Sequence, residues 1–186
     1  MKRKMALAAA LAVLAGVAAG LSFATPPRGL GSQLLSRGAA AGELSVAVPI
    51  RATVTQRRIV RVRGKLRIKR VRVTRTVDRP LLRCGAASPC DVAVVRATLE
   101  AGGSTGWHSH PLPSLVVVKA GQLTLREPRG GQCATSTFNA GQAFVHPARP
   151  HSFENAGGTQ LEFYVTYFAP PQAGLLIDAP APTECP

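Results

Sequence analysis

The sequence lacks the short motifs that mark several large classes of nucleotide-binding enzyme. Its 186 residues contain no G-x-x-x-x-G-K-[ST] phosphate loop and no G-x-G-x-x-G dinucleotide fingerprint. It has no internal repeat, and after the first two dozen residues no segment keeps a helical period for three turns. We therefore do not expect a P-loop NTPase, a Rossmann-type dehydrogenase, a solenoid or a helical bundle.

Acidic residues are also scarce, with 9 Asp and Glu against 23 Lys and Arg and a formal net charge of +14. Thirteen of the basic residues lie within residues 51–83 beside one acid, Asp78, whereas residues 84–186 hold five basic and seven acidic residues. The basic segment has no aromatic residue, and proteins that bind single-stranded nucleic acid normally offer aromatic stacking platforms. We expect residues 57–75 to form a solvated edge hairpin or a poorly ordered insertion. The alternative is that they dock on an anionic surface or polymer, rather than on a specific nucleic acid.

The N-terminus predicts export from the cytoplasm. Lys2, Arg3 and Lys4 precede an apolar run over residues 5–23, and Ser22-Phe23-Ala24 provides a small-x-small site. This pattern is typical of a signal peptide, here residues 1–24, cleaved after about Ala24. The alternative is an uncleaved membrane anchor, although the run is rich in Ala and Gly. Both interpretations place the rest of the chain outside the cytoplasm, as a secreted, periplasmic or cell-surface protein.

Only four cysteines are present, and all lie beyond the predicted signal peptide: Cys84, Cys90, Cys133 and Cys185. An even number of cysteines in an exported chain favours disulfides, and without a Cys-x2-Cys pair a zinc site built from these residues is not expected. Four cysteines allow three pairings, among which the sequence alone does not choose. The local pairing across "CGAASPC" is Cys84–Cys90, which leaves Cys133 with Cys185.

Short runs of alternating apolar and polar residues predict an all-β protein. Residues 25–42 are turn-rich and are expected to form a linker, and residues 44–50 are expected to form a first strand. Residues 57–73 predict a basic two-stranded hairpin that turns at Gly64-Lys65, within an insertion over 51–83. The later segments are short apolar runs broken by Gly and Pro, which is typical of an antiparallel sandwich or barrel.

The four histidines suggest a metal site, because they all fall within 44 residues, next to predicted turns. His108 and His110 lie two positions apart, so on a strand both imidazoles point to one face. Neutral imidazole is the commonest protein ligand for transition metals. His151 is the natural third ligand from a neighbouring strand. His146 is a weaker candidate, because five residues before His151 it has the opposite strand parity unless a bulge intervenes.

Two motifs resemble those of the cupin superfamily. Residues 102–121 have the spacing Gly102-x5-His108-x-His110-x3-Ser114-x6-Gly121, which is similar to the first cupin motif, G-x5-H-x-H-x3–4-E-x6-G, except that Ser114 stands where the family has Glu. Residues 141–155 resemble the second motif, G-x5-P-x-G-x2-H-x3-N, through Gly141, Pro147, His151 and Asn155. One residue is missing between Pro147 and His151, and Arg149 stands where the family has its glycine turn.

The resemblance implies a single antiparallel jelly-roll β-barrel over residues 43–186. It implies a divalent transition metal (Fe, Zn, Mn, Ni or Cu) bound by His108, His110 and His151. The family's glutamate ligand has no counterpart, since no acid occurs between His110 and Gly121. The site therefore has fewer protein ligands, and we expect its metal affinity to be lower. No catalytic residue is assigned.

Three functions remain open at this point. The first is an exported, non-catalytic barrel that binds a metal or a small molecule, which the loss of the glutamate favours. The second is a metal-dependent enzyme, such as a dioxygenase or isomerase acting on a small molecule. The third is a protein that contacts an anionic surface or polymer through its basic hairpin. The resemblance also admits a homodimer.

Overall fold

Alternating apolar and polar residues form twelve β-strands in the computed structural model, which describes residues 25–186. The predicted signal peptide and the alternative membrane anchor lie in residues 1–24, outside the described residues. Over 25–186 there is no helix, and hence none that is long and apolar enough to cross a membrane. The strands are β1 (Arg28–Ala39), β2 (Leu44–Val62), β3 (Lys65–Cys84), β4 (Asp91–Ser104), β5 (His108–Ser109), β6 (Ser114–Ala120), β7 (Gln122–Arg129), β8 (Gln132–Asn139), β9 (Ala143–His146), β10 (Ser152–Glu154), β11 (Leu161–Ala169) and β12 (Ile177–Asp178).

Most of the strands belong to one antiparallel sheet. Its hydrogen-bonded order is β8-β7-β10-β4-β11-β6-β9, and β1 pairs with β4 outside this path. The sheet curls into a nearly closed barrel, so the expected all-β barrel is confirmed. Two further two-stranded sheets pair β12 with β5 and β2 with β3. The β12–β5 pairing brings the C-terminal tail to the histidine motif.

The core lies inside the barrel, next to the histidines. Strand β11 alternates inward and outward positions, and its inward side chains are Leu161, Phe163, Val165 and Tyr167. Burying one such side chain stabilises the fold by about 2–3 kcal/mol. The ring of Phe153 extends this core to within 4.8 Å of the His151 ring, measured between centroids. The histidines therefore lie at the boundary of the apolar core.

The prediction of a linker over residues 25–42 is wrong, because β1 occupies most of this segment. Strand β1 pairs with β4 from Arg28↔Ser104 to Ala39↔Asp91, with two register shifts. The small residues that suggested turns allow close packing instead. A side chain at Gly31 would place its Cβ 2.7 Å from the Thr98 hydroxyl oxygen.

The basic segment forms a hairpin, as predicted, but a longer one. Strands β2 and β3 pair from Leu44↔Cys84 to Val62↔Lys65, with one register shift between Val46 and Ala47. Residues 44–50 therefore belong to this hairpin and are not a separate first strand of the barrel. The turn lies at Arg63-Gly64, one residue earlier than expected, and both residues have positive φ (51° and 75°). Positive φ at both central residues is characteristic of the tight turns that suit twisted hairpins.

Both disulfides are present in the structure, with Cys84 joined to Cys90 and Cys133 joined to Cys185. The first ties the base of the hairpin to the start of β4. The second joins β8 to the C-terminal tail across a sequence separation of 52 residues.

Candidate metal centre

The barrel brings three histidines together at one point. His108 starts β5, His110 follows it, and His151 precedes β10. His108 and His151 lie opposite each other in an antiparallel bridge, with N–H···O distances of 3.0 and 2.9 Å. One possible ligand atom from each of the three lies within 4.8 Å of the others, and all three side chains are buried. The cluster is the one predicted from the motif spacing.

The backbone holds all three imidazoles in one tautomer. Nδ1 of His108 lies 3.0 Å from the Gly106 carbonyl oxygen, Nδ1 of His110 lies 3.1 Å from that of Leu175, and Nδ1 of His151 lies 2.9 Å from that of Arg149. A carbonyl oxygen only accepts hydrogen bonds, so each Nδ1 carries the proton. Each Nε2 therefore keeps its lone pair, which is the arrangement that orients histidines toward metals.

Two of these Nε2 atoms have no hydrogen-bond partner. Nε2 of His110 and Nε2 of His151 are both buried and unpaired. A buried polar atom without a partner costs free energy, which makes a bound group at this point favourable. Both the unpaired nitrogens and the all-nitrogen donor set fit a transition-metal ion.

Burial also keeps the cluster neutral. Loss of hydration, helped by the neighbouring imidazole of His108, lowers the pKa of His110 to about 3. Burial likewise lowers the pKa of His108, and it lowers the pKa of His151 well below the usual histidine range. The neutral form is the one that coordinates a metal.

Ser114 confirms that the centre lacks the usual carboxylate. The serine is buried, and its hydroxyl oxygen has no hydrogen-bond partner. In β6 it pairs with His146 on one side and with Tyr167 on the other. No Asp or Glu joins the three histidines in the part of the chain that the structure describes.

His146 lies beside the three-histidine cluster without joining it. Its ring centroid is 3.8 Å from that of His151, and its Nδ1 is buried and unpaired. The parity expected from the sequence assumed a continuous strand. Strand β9 ends at His146 and residues 147–150 turn, so both side chains point inward.

Glu127 is the residue that sequence reasoning missed. It is only 1% exposed, and it lies 3.3 Å from His146 Nε2 through Oε2. Arg129 and Arg149 also donate to this carboxylate, the latter from Nε at 2.7 Å. Burial favours the neutral acid, but these donors prevail and hold the pKa of Glu127 below its usual value. The alternation Leu123, Leu125, Glu127 along β7 was the available signal, because it points all three inward.

This contact gives a structural role to Arg149, which replaces the family's glycine. The Arg149 guanidinium binds Glu127, and the Arg149 carbonyl accepts the Nδ1 proton of His151. A buried carboxylate thus anchors the turn that positions one of the three histidines.

Other polar residues of the motifs have structural roles. Asn155 donates to the carbonyls of Leu99, Glu100 and Thr159 and accepts from the Gly157 amide, so it fixes a turn. The carboxylates of Glu154 and Glu162 pair with Arg126 and Arg96 instead of reaching the histidines.

Residues 102–106, "GGSTG", match G-x-S-x-G, the pattern of a nucleophile elbow. Ser104 does not act as one here, because its hydroxyl contacts the hydroxyl of Ser152 at 3.1 Å and accepts from the Gly106 amide at 3.0 Å. No helix follows it within residues 25–186, whereas an elbow joins a strand to a helix.

A cavity of about 270 Å³ adjoins His108. Its inner wall is mostly apolar and includes Phe153, Phe163 and Tyr167, while Leu175 and Asp178 of the C-terminal tail line its edge. The Tyr167 ring lies 4.9 Å from the His110 ring between centroids. The tail thus borders the cavity and also orients His110 through the Leu175 carbonyl.

Comparison with known proteins agrees with this architecture. Residues 95–167, less than half of the chain, match the family model for the cupin domain. This segment is a cupin domain. It contains both motifs and all three histidines of the centre. A search of the curated proteins found no match.

Several solved structures resemble the cupin domain. An oxalate oxidase is 24% identical, with a TM-score of 0.42 over 47% of this chain and 46% of its own. A mutant of the oxalate decarboxylase of B. subtilis is 17% identical, with a TM-score of 0.42 over 47% of this chain and 24% of its own. The polyketide cyclase RemF from Streptomyces resistomycificus is 23% identical, with a TM-score of 0.40 over 50% of this chain and 63% of its own. The chain thus spans less than half the length of the oxalate oxidase.

Proposed function

We propose that the cupin domain binds a divalent transition metal through Nε2 of His108, His110 and His151, and binds a small molecule in the adjoining cavity. The observation that carries the proposal is the shared tautomer, since three backbone carbonyls leave three Nε2 lone pairs free in one cluster. Zn, Fe, Ni and Cu suit an all-imidazole set better than Mn, which prefers oxygen ligands. When bound, the metal would supply a Lewis-acid or redox centre.

The chain's own residues indicate what kind of small molecule the cavity would take. The aromatic wall formed by Phe153, Phe163 and Tyr167 favours an apolar body, and the cavity volume limits its size. His108 lies at the end where this body meets the cluster. A small apolar molecule that carries one oxygen or nitrogen donor matches both features.

Metal analysis of the purified protein tests the metal-binding part of the proposal. We expect about one metal ion per chain, and strong loss of metal in His108→Ala and His151→Ala because each removes one of three ligands. His146→Asn is the matched control, since His146 is equally buried but lies outside the cluster. Metal content that is unaffected by the two ligand changes, or is lost equally in the control, would contradict the three-histidine assignment.

The alternative function is a metal-dependent enzyme such as a dioxygenase or isomerase. One observation favours it: three protein ligands leave coordination positions open, as catalytic centres require. Oxygen consumption and product analysis with the metal-loaded protein, over small apolar acids, thiols and phenols, distinguish the two. Turnover that disappears in His151→Ala supports the enzyme. Saturable binding of a compound without turnover supports the binding protein.

A further inference from the structure

The β2–β3 hairpin projects a concentrated positive charge that the rest of the protein does not neutralise. Ten Lys and Arg residues lie between Arg57 and Arg75, and no acid occurs between Arg51 and Val77. Within residues 25–186, none of these ten side chains takes part in an ion pair. Repulsion among them is therefore uncompensated, and an anionic partner is the complement of this surface.

The end of the same hairpin exposes large aliphatic side chains. Ile59 is 72% exposed, Leu66 68% and Ile68 70%. Ile59 pairs directly with Ile68, and Leu66 lies two residues before Ile68, so all three side chains share one face. The hairpin's base is different, because Leu44, Val46 and Leu82 pack around Phe168. The tip face is thus apolar at its centre and cationic around it.

We propose that the tip of the hairpin, residues 57–72, docks on the surface of an anionic lipid bilayer. Ile59, Leu66 and Ile68 enter the boundary between headgroups and acyl chains, while the surrounding arginines bind lipid phosphates. This combination of an apolar face and a basic rim is the one that lies in a membrane interface. A soluble polyanion would neutralise the charge but leave the three aliphatic side chains in water.

The hairpin also separates the bilayer from the metal centre. Its 19 residue pairs, at about 3.3 Å per residue, span up to about 60 Å from the base at Leu44↔Cys84 to the turn. The tip is therefore free to meet a surface without any rearrangement of the barrel. Because no aromatic residue occurs in β2 or β3, a base-stacking nucleic-acid site is not built into the same surface.

Vesicle sedimentation with the full chain tests this proposal. We expect binding to vesicles of phosphatidylcholine and phosphatidylglycerol in a two-to-one ratio, and far weaker binding to phosphatidylcholine alone. Residues 1–24 are common to all variants, so differences between variants report the hairpin. Added salt should weaken the binding steeply. Equal binding to the two vesicle types would overturn the proposal.

Two sets of substitutions separate the two parts of the surface. Arg57→Gln, Arg61→Gln and Arg70→Gln, which remove basic residues from the face of the three aliphatic side chains, together should weaken vesicle binding about a hundredfold, since each basic residue near an anionic membrane contributes about fivefold. Ile59→Thr, Leu66→Thr and Ile68→Thr together remove the apolar side chains but preserve the strands, because threonine also favours β-structure. This triple variant should bind vesicles about tenfold more weakly, or weaker still. Leu35→Thr, at a residue 47% exposed on β1, is the control and should change nothing.

The decisive comparison uses heparin as a soluble polyanion. If the threonine variant binds vesicles as tightly as the original chain, the surface recognises charge alone and lipid docking is wrong. If it loses vesicles but keeps heparin, lipid docking is supported. A separate readout does not depend on the triple variants. Ile59→Trp adds one exposed tryptophan to a chain whose only other, Trp107, is 5% exposed. Its emission should shift to the blue on anionic vesicles, and an unchanged spectrum would overturn the proposal.

Discussion

Removal of the Glu127 carboxylate should destabilise the protein far more than removal of a surface carboxylate. In Glu127→Ala, the buried Nε2–H of His146 loses its acceptor, which costs about 1–3 kcal/mol. The two arginines lose charge-assisted hydrogen bonds, but Arg129 and Arg149 are 62% and 39% exposed and can be rehydrated. Their contribution is therefore smaller, about 1 kcal/mol together. We expect a loss of about 3 kcal/mol in the free energy of unfolding.

Glu154→Ala is the matched control for this change. Glu154 also accepts from an arginine, Arg126, at 3.1 Å, but both side chains are about a third exposed. Exposed pairs contribute about 1 kcal/mol at most. Urea titration followed by circular dichroism measures both variants, and the midpoint of thermal unfolding should fall by roughly 6–12 °C in the first and by a few degrees at most in the second. Equal losses in the two variants would refute the role assigned to the buried carboxylate.

Three other changes test separate parts of the structure. Burial lowers the pKa of His110 to about 3 and that of His146 to about 4, whereas an unfolded histidine titrates near 6.5. Below pH 6.5 the unfolded state therefore binds more protons than the folded state. The free energy of unfolding of the metal-free protein should fall by about 1.4 kcal/mol per pH unit for each of these histidines. A free energy of unfolding that stays constant from pH 6.5 to 4 would contradict this. Cys133→Ser removes the disulfide to Cys185, which closes a loop with a sequence separation of 52, and should lower the free energy of unfolding by about 4 kcal/mol in urea titration without reductant. An unchanged free energy of unfolding in this variant would contradict the role of the disulfide. Ser114→Glu restores the family's carboxylate and should tighten metal binding, as measured by competition with a chelator. It should also lower the melting temperature of the metal-free protein, because an unpaired carboxylate would then be buried. Unchanged metal affinity would place this position outside the centre.

Local spacing in the sequence, together with the family resemblance, was enough to predict which three histidines cluster. The interval between His108 and His110 sets a common face, and the second motif adds His151 by resemblance. The two segments then pair backbone to backbone through the His108–His151 bridge. The alternation of apolar and polar residues along β11 likewise matches the burial of its side chains.

The parts that were not predicted depend on contacts between distant residues. The Leu175 carbonyl orients His110 across 65 residues, and Glu127 meets Arg149 across 22. No spacing rule specifies such pairs. The linker prediction failed for a related reason: glycines that allow β1 to approach β4 closely look the same in sequence as glycines that form turns.

The most direct test of the metal centre is nitrogen NMR of the four histidine side chains during titration of the metal-free protein with Zn²⁺. The hydrogen bonds predict a proton on Nδ1 of His108, His110 and His151, and on Nε2 of His146, whose partner is Glu127. Equimolar zinc should shift the three unprotonated Nε2 resonances and leave the proton of His146 on Nε2. Protonation of any of the three at Nε2 in the metal-free protein, or zinc binding without a shift of these resonances, would contradict the account.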